Sequence, residues 1–269
     1  MYLPVKNIVK EIDLKPGDAF LPLFECIVNS IISLKKAKGL QREEKKIQIQ
    51  IERGEVPSSL NFNGIKTIDQ IKVIDNGEGF TETNYNSFET AYSDVNKIYG
   101  CKGIGRFTVL AAFNRLSVKS TYQEGTSWWY REFLFEAEKE IVPITKEKVA
   151  DNKHKTIVEL SNCYNSNIKD FTAKSVNEIA ELIMQHCLIY YLCNELPRIE
   201  LIDNENNEAA VVNDLYERLS KEREKDFEIK KQRFHCYITK QEKLNNRRNH
   251  YIYYCANSRI VGSGKSMAK

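Results

Sequence analysis

An α+β fold is the class this sequence predicts, and two contrasting periodicities carry that prediction. From Asp18 to about Lys38, Phe24, Ile27, Val28, Ile31 and Leu34 recur at helical spacing. Asp18 is the expected N-cap, Pro22 sits in the first turn where a missing N–H costs little, and Gly39 is a natural stop. Directly afterwards Lys46–Glu52 alternates strictly, with Ile47, Ile49 and Ile51 against Gln48 and Gln50, the pattern of a strand with one buried face.

The remaining elements follow by the same reading. A second strand is predicted over Gln70–Asp75, ending at Asn76-Gly77. Residues 81–104 are polar and rich in Tyr, Asn, Ser and Gly, which predicts a mobile segment, and a short helix is expected over Arg106–Phe113. Three strand-like runs come next, at 115–122, 127–135 and 155–160, with a surface loop or short helix expected between the last two. Trp128 and Trp129 are adjacent on one of these strands and so face opposite ways. A long amphipathic helix over Ala173–Cys193 and a strand at 197–202 complete the first part. Beyond Asn204 the character changes: residues 214–248 are dense in charge, and Tyr251–Ala256 reads as a strand. The expected division is therefore a domain over 1–205 and a charged segment over 206–269, too small to close a core alone.

Composition narrows the function classes. A hydrophobic fraction of 42% supports a core, and a net charge of +3 does not by itself point to nucleic acid or a membrane surface. The seven cysteines (Cys26, Cys101, Cys163, Cys187, Cys193, Cys236 and Cys255) are scattered without a C-x-x-C pair, which argues against a disulfide framework and a zinc knuckle. The N-terminal residues lack the apolar run of a signal peptide. Leu182–Cys193 is too short to span a bilayer. A cytoplasmic protein with reduced thiols and no membrane partner is expected.

Three short patterns carry chemistry. Glu25 and Asn29 project from one helix face a turn apart, where a carboxylate can deprotonate a water and a carboxamide oxygen can hold Mg²⁺. Such a pair also occurs on ordinary helix surfaces. Asp75-Asn-Gly-Glu-Gly79 puts a carboxylate at the end of a buried strand, able to accept a hydrogen bond from an exocyclic amine, with Gly77 and Gly79 permitting close approach. An Asn-Gly hairpin is the plainer alternative, but the residues that follow do not alternate as a returning strand. Gly100-Cys-Lys-Gly-Ile-Gly-Arg106 leads into a helix and offers backbone N–H groups plus Lys102 and Arg106 to an anion. Read singly, that loop is equally a flexible connector.

Taken in order, these elements resemble the motifs of the GHKL ATPases, the superfamily of DNA gyrase, the heat-shock chaperone, histidine kinases and MutL, and look closest to the MutL/MORC/chaperone-like branch. Lys155-Thr156-Ile-Val-Glu-Leu160 is similar to the fourth motif, with Lys155 where the family usually has Gly. The resemblance covers roughly residues 15–162. It implies an α+β two-layer sandwich of Bergerat type, with helices on one face of a mixed sheet and ATP and Mg²⁺ as ligands. It further implies Glu25 as the water-activating base and Asn29 as the Mg²⁺ ligand, with Asp75 reading adenine beside Thr156. Gly77 and Gly79 would shape the pocket, and Gly100, Lys102, Gly103, Ile104, Gly105 and Arg106 would wrap the phosphates. Tyr253–Val261 is similar to the strand opening a transducer-like second domain, whose γ-phosphate-sensing Lys lies further along than this sequence reaches, so slow turnover is expected of this chain alone.

The expected function is an ATP-driven conformational and dimerisation switch, with DNA or a protein as client. Two rivals share the fold. A histidine-kinase-like phosphotransferase is disfavoured because only about twenty residues precede Glu25; a non-hydrolysing nucleotide-gated binding module would keep the pocket without the turnover. Gly262-Ser-Gly-Lys-Ser266 lacks the first Gly of a P-loop, since Arg259 holds that position. The four histidines have no metal-ligand spacing. The basic stretch Lys240–Tyr254 is read as a solvated face in preference to a nucleic-acid contact.

Overall fold

Alternation in the strands and 3.6-residue spacing in the helices meet in one hydrophobic core. The computed structural model describes residues 4–57, 64–91, 93–99, 103–241, 251–256, 259–260 and 265–266. In chain order the elements are α1 (Val5–Lys10), α2 (Leu21–Lys36), β1 (Lys46–Arg53), β2 (Ile68–Asp75), α3 (Glu82–Glu89), α4 (Gly105–Leu110), β3 (Phe113–Glu124), β4 (Ser127–Glu136), β5 (Glu140–Lys148), β6 (Lys155–Cys163), α5 (Ser166–Lys169), α6 (Val176–Leu192), β7 (Arg198–Asp203), β8 (Glu208–Val211), α7 (Val212–Leu215), β9 (Leu219–Ile229) and β10 (Gln232–Gln241). The fold is α+β.

Eight strands form a mixed sheet in the order β5-β4-β3-β6-β2-β1-β7-β8, with β1 and β7 parallel and the other neighbours antiparallel. Register puts Ile47, Ile49 and Ile51 beside Asp75, Val73 and Ile71, so one face of the sheet is continuously apolar up to Asp75. Helices α2, α4 and α6 cover that face. Leu23, Ile27 and Ile31 of α2 and Ile179, Ile183 and Cys187 of α6 are fully buried there. The opposite face carries Gln48, Gln50, Lys72 and Glu159, which remain partly exposed. Pro16–Lys36 is apolar enough by composition to cross a bilayer, with a mean hydropathy of 1.4, yet 61% of that window is buried in the protein. Its apolar stripe is consumed by the sheet.

Several elements differ from the sequence reading for identifiable reasons. Helix α2 begins at Leu21, because Asp18 closes a preceding 3₁₀ turn by accepting from Lys15 N at 3.0 Å. Within residues 81–104, α3 forms because Thr81 caps it by accepting from Asn84 N, while Tyr85 and Phe88 pack on Phe133. The stretch expected as a loop or short helix contains β5, whose Pro143 is accommodated on an edge strand opposite a register shift at Glu132/Phe133. Ser175, with Glu178, supplies the capping box that starts α6.

The sheet and core also run past the expected division at 205. Strand β8 pairs with β7, and Val212 and Tyr216 are buried in the same core, with the Tyr216 hydroxyl donating to Met184 O at 2.7 Å. Strands β9 and β10 then leave as a separate two-stranded ribbon. Near the end, Tyr251–Ile252 pairs with Lys265–Ser266 and Cys255–Ala256 with Arg259–Ile260, so the single strand expected over 251–256 is divided between two short pairs.

Candidate functional site

Strand β2 lies between β6 and β1, and its last residue is a buried acid. Asp75 is only 4% exposed. One carboxylate oxygen accepts from Ser30 Oγ of α2 at 2.8 Å, and the other accepts from Gly77 N at 2.9 Å. Burial raises its pKa from 3.8 to about 6, against the lowering effect of Ser30, Gly77 and Ser33. Each oxygen retains lone-pair capacity for another donor.

The neighbours of Asp75 follow from register. Thr156 of β6 is its cross-strand partner, and Ser120 of β3 is the cross-strand partner of Thr156. The two hydroxyls lie 2.9 Å apart, and Ser120 also accepts from Phe80 N at 3.0 Å. A row of small polar groups thus replaces the aliphatic row that fills the rest of this sheet face.

The two turn glycines are required by the protein itself. A Cβ on Gly77 would lie 2.7 Å from Ser33 C and 2.8 Å from Leu34 N, so the turn sits directly against the α2 backbone. Gly79 has φ +80°, and a Cβ there would come within 2.8 Å of both Ser120 Oγ and Tyr122 Cβ. Glu78 N donates to Ser33 O at 3.2 Å, fixing the turn to the same helix.

The other end of the site is built from α2 and α4. Glu25 is half-buried and Asn29, one turn on, is exposed. Gly105, the first residue of α4, packs on the Glu25 side chain so closely that a Cβ would lie 2.8 Å from Glu25 Cδ. Gly103 has φ +69°, and Ile104 is the half-buried N-cap of α4. Gly100 and Lys102 lie outside the described residues.

Arg106 packs against the aromatic rings of its own helix and of α3. Its guanidinium lies 4.4 Å from the Phe107 ring centroid and 5.3 Å from that of Phe88, and it donates to Gly103 O at 2.9 Å. Desolvation there lowers its pKa to about 10. In this arrangement it buttresses the base of the loop.

Helix α2 therefore joins both ends: Ser30 and Ser33 hold the Asp75 turn, while Glu25 meets Gly105. The structure brings Asp75, Gly77, Gly79 and Thr156 together, and Glu25 with Gly105, along one helix. Ser30, Ser33 and Ser120 were missed by the sequence reading. Their signal is a hydroxyl in an apolar phase: Ser30 falls within the Ile27–Ile31–Leu34 stripe, and Ser120 alternates with Leu116, Val118 and Tyr122.

Among the described residues no group of three or more His, Cys, Asp or Glu is arranged to hold a metal ion. An exposed carboxamide beside a half-buried carboxylate fits a hard cation that takes most of its oxygens from phosphates and water. A separate apolar groove of about 310 Å³, lined by residues that include Phe20, Phe24, Phe171 and Leu182, opens beside the start of α2. It contains none of the site residues. Comparison of the chain with protein-family models and with curated proteins finds no match.

Proposed function

We propose that this chain binds ATP with Mg²⁺ in the manner of the GHKL ATPases, on a Bergerat-type sandwich, and hydrolyses it as a conformational switch. The observation that carries the reading is Asp75: a buried carboxylate held by Ser30 and Gly77, with lone-pair capacity left on its oxygens and flanked by Thr156. The adenine N6 amine is such a donor, and an ionised acid in this setting rewards it with a charge-assisted bond. Support also comes from the eight-stranded mixed sheet with helices on one face, and from the placement of Glu25 and Asn29 on the helix that fixes Asp75.

The residues divide the work along α2. Asp75 and Thr156 orient the base, and Gly77 and Gly79 keep the floor of the pocket low. Asn29 offers its carboxamide oxygen to Mg²⁺, and Glu25 accepts the proton of the attacking water. Bound Mg²⁺ supplies neutralisation of the phosphate charge. Gly103 and Gly105 give the loop a base that rests on Glu25, so loop order and catalytic geometry are coupled. Association of two protomers when the loop closes, in the cytoplasm, completes the switch.

Titration calorimetry with Mg-ATP and Mg-GTP tests this directly. Wild type is expected to bind ATP in preference to GTP, and Asp75→Asn to lose that preference. Absence of any Mg-ATP binding by wild type overturns the reading. ATP binding with equal, negligible turnover in wild type and Glu25→Ala moves the chain to a nucleotide-gated binding module.

A further inference from the structure

The ribbon that leaves the core after Tyr216 separates its charges by face. Register places Arg223, Lys225, Phe227 and Ile229 opposite Ile238, Cys236, Phe234 and Gln232 on one face. The other face pairs Glu224, Asp226 and Glu228 with Tyr237, His235 and Arg233. On that second face His235 is held by Asp226 at 2.5 Å and Glu224 at 2.6 Å, and the Tyr237 hydroxyl lies 3.9 Å from Cys193 Sγ at the end of α6. Asp226 and Glu224 are thus occupied on the face that touches the body.

The first face has the opposite character. From Arg223 to Ile229 its charged residues are cations, Arg223 and Lys225, and Lys230 and Lys231 form the tip with φ of 49° and 66°; beyond the register shift Glu222 accepts from Ser220 Oγ, opposite Lys240. Phe227 and Phe234 stack at 5.3 Å with an interplanar angle of 12°, and are 41% and 39% exposed. Ile229 and Ile238 extend the apolar strip at 54% and 49% exposure. An isolated two-stranded ribbon is marginal in water, and a contiguous exposed apolar strip on it marks an interaction surface.

The run of cations from Arg223 through Lys225 to the tip lysines selects a polyanion. An exposed aromatic pair beside them selects a polyanion that carries flat rings: phosphates meet Arg223, Lys225 and the tip lysines, while unpaired bases stack on the phenylalanines. Duplex bases are already stacked and leave the rings unused. We propose that this face of the β9–β10 ribbon binds single-stranded nucleic acid, a role that stands whether or not the ATP reading holds.

Fluorescence anisotropy of the full chain with a labelled oligothymidylate of roughly 20 nucleotides tests it. Binding is expected, weakening as salt rises. Phe227→Ala with Phe234→Ala should lower affinity by about tenfold or more, as loss of base stacking requires, while Phe227→Tyr with Phe234→Tyr retains it. Arg223→Gln with Lys225→Gln should weaken binding and flatten its salt dependence. Glu228→Gln, on the other face, should change neither. Unchanged circular dichroism shows that the variants fold, and the tyrosine pair keeps the test decisive if the alanine pair does not. No binding by wild type overturns the proposal. So does an equal preference for duplex, or poly-glutamate binding that responds to the same variants, which would reassign the face to an acidic protein.

Discussion

The two ends of α2 hold their candidate chemistry in opposite ways. At the Asp75 end, hydroxyls from α2, β3 and β6 and a turn locked to the helix backbone surround a buried acid. At the Glu25 end, a half-buried acid is covered by a glycine, and the loop behind it is braced by one arginine over two phenylalanine rings. The first arrangement is pre-organised by a rigid sheet. The second rests on side chains, those of Glu25 and Arg106, in place of a sheet. On the ATP proposal, base recognition falls at the first end and turnover at the second.

The largest effect expected is on turnover. Glu25→Gln keeps the shape under Gly105 but removes the base, so ATPase rate should fall by about 10²–10⁴-fold while Mg-ATP affinity changes only slightly. A rate that survives the change, measured by steady-state phosphate release, would strip Glu25 of its role. The comparison would then lose its catalytic half.

Substituting the glycines tests rigidity itself. Gly79→Ala places a Cβ at φ +80° against Ser120 and the fully buried Tyr122, and is expected to cost roughly 2–4 kcal/mol in chemical denaturation. At Gly105 the obstructing atoms belong to the Glu25 side chain, which can swing aside. Gly105→Ala should therefore cost less stability than Gly79→Ala and more activity. Equal destabilisation by both would show that the Glu25 end is as fixed as the Asp75 end. Gly17→Ala, where a Cβ meets nothing within 4 Å, serves as a neutral reference.

What the sequence disclosed follows the same division. Strict alternation in Lys46–Glu52 and the apolar stripe of α2 each had one physical solution, so both elements were legible to within a few residues. Asp75 stood out because an acid ends a buried strand. Ser30 and Ser120 did not, because a hydroxyl in an apolar phase costs little to place in a core and reveals its partner only when register brings it to Asp75 or Thr156. Strand β5 was hidden by Pro143 and its charges, which only an edge position tolerates. The ribbon was hidden because its two faces are read as one dense run of charge until Phe227 and Phe234 are paired.

Asp75 offers a test in which stability and binding move in opposite directions. Its folded-state pKa of about 6 lies above the ordinary 3.8, so the unfolded chain releases this proton first. The folded state is therefore penalised as pH rises between about 4 and 6, by on the order of 3 kcal/mol at neutral pH, and not at all below the unfolded value. Asp75→Asn should stabilise the fold above pH 6, with the gain vanishing near pH 4, in thermal melts across that range. The same change should weaken ATP by roughly 10–100-fold, the worth of a hydrogen bond to a charged acceptor. Wild-type ATP affinity should likewise decline below about pH 6 as the acid protonates. Loss of stability in Asp75→Asn at neutral pH would mean that the carboxylate is part of the scaffold and not a reader of the base.

The smallest effect separates two places for Arg106. In the present arrangement its guanidinium stacks over Phe107 and Phe88 and holds Gly103 O, so Arg106→Met keeps the stem and loses a cation–π contact and one hydrogen bond. The expected cost is about 1 kcal/mol of stability, with ATP affinity nearly unchanged. If loop closure instead delivers the guanidinium to the phosphates, affinity should fall about tenfold or more with little change in stability. Measuring both quantities on the one variant decides whether the charge is fixed in the base of the loop or released to the ligand. The depressed pKa favours the second outcome energetically: a guanidinium made less comfortable by desolvation gains more from an anion than a solvated one does. The ring contacts and the Gly103 bond oppose it, and together they set a threshold of the same order that the ligand must exceed.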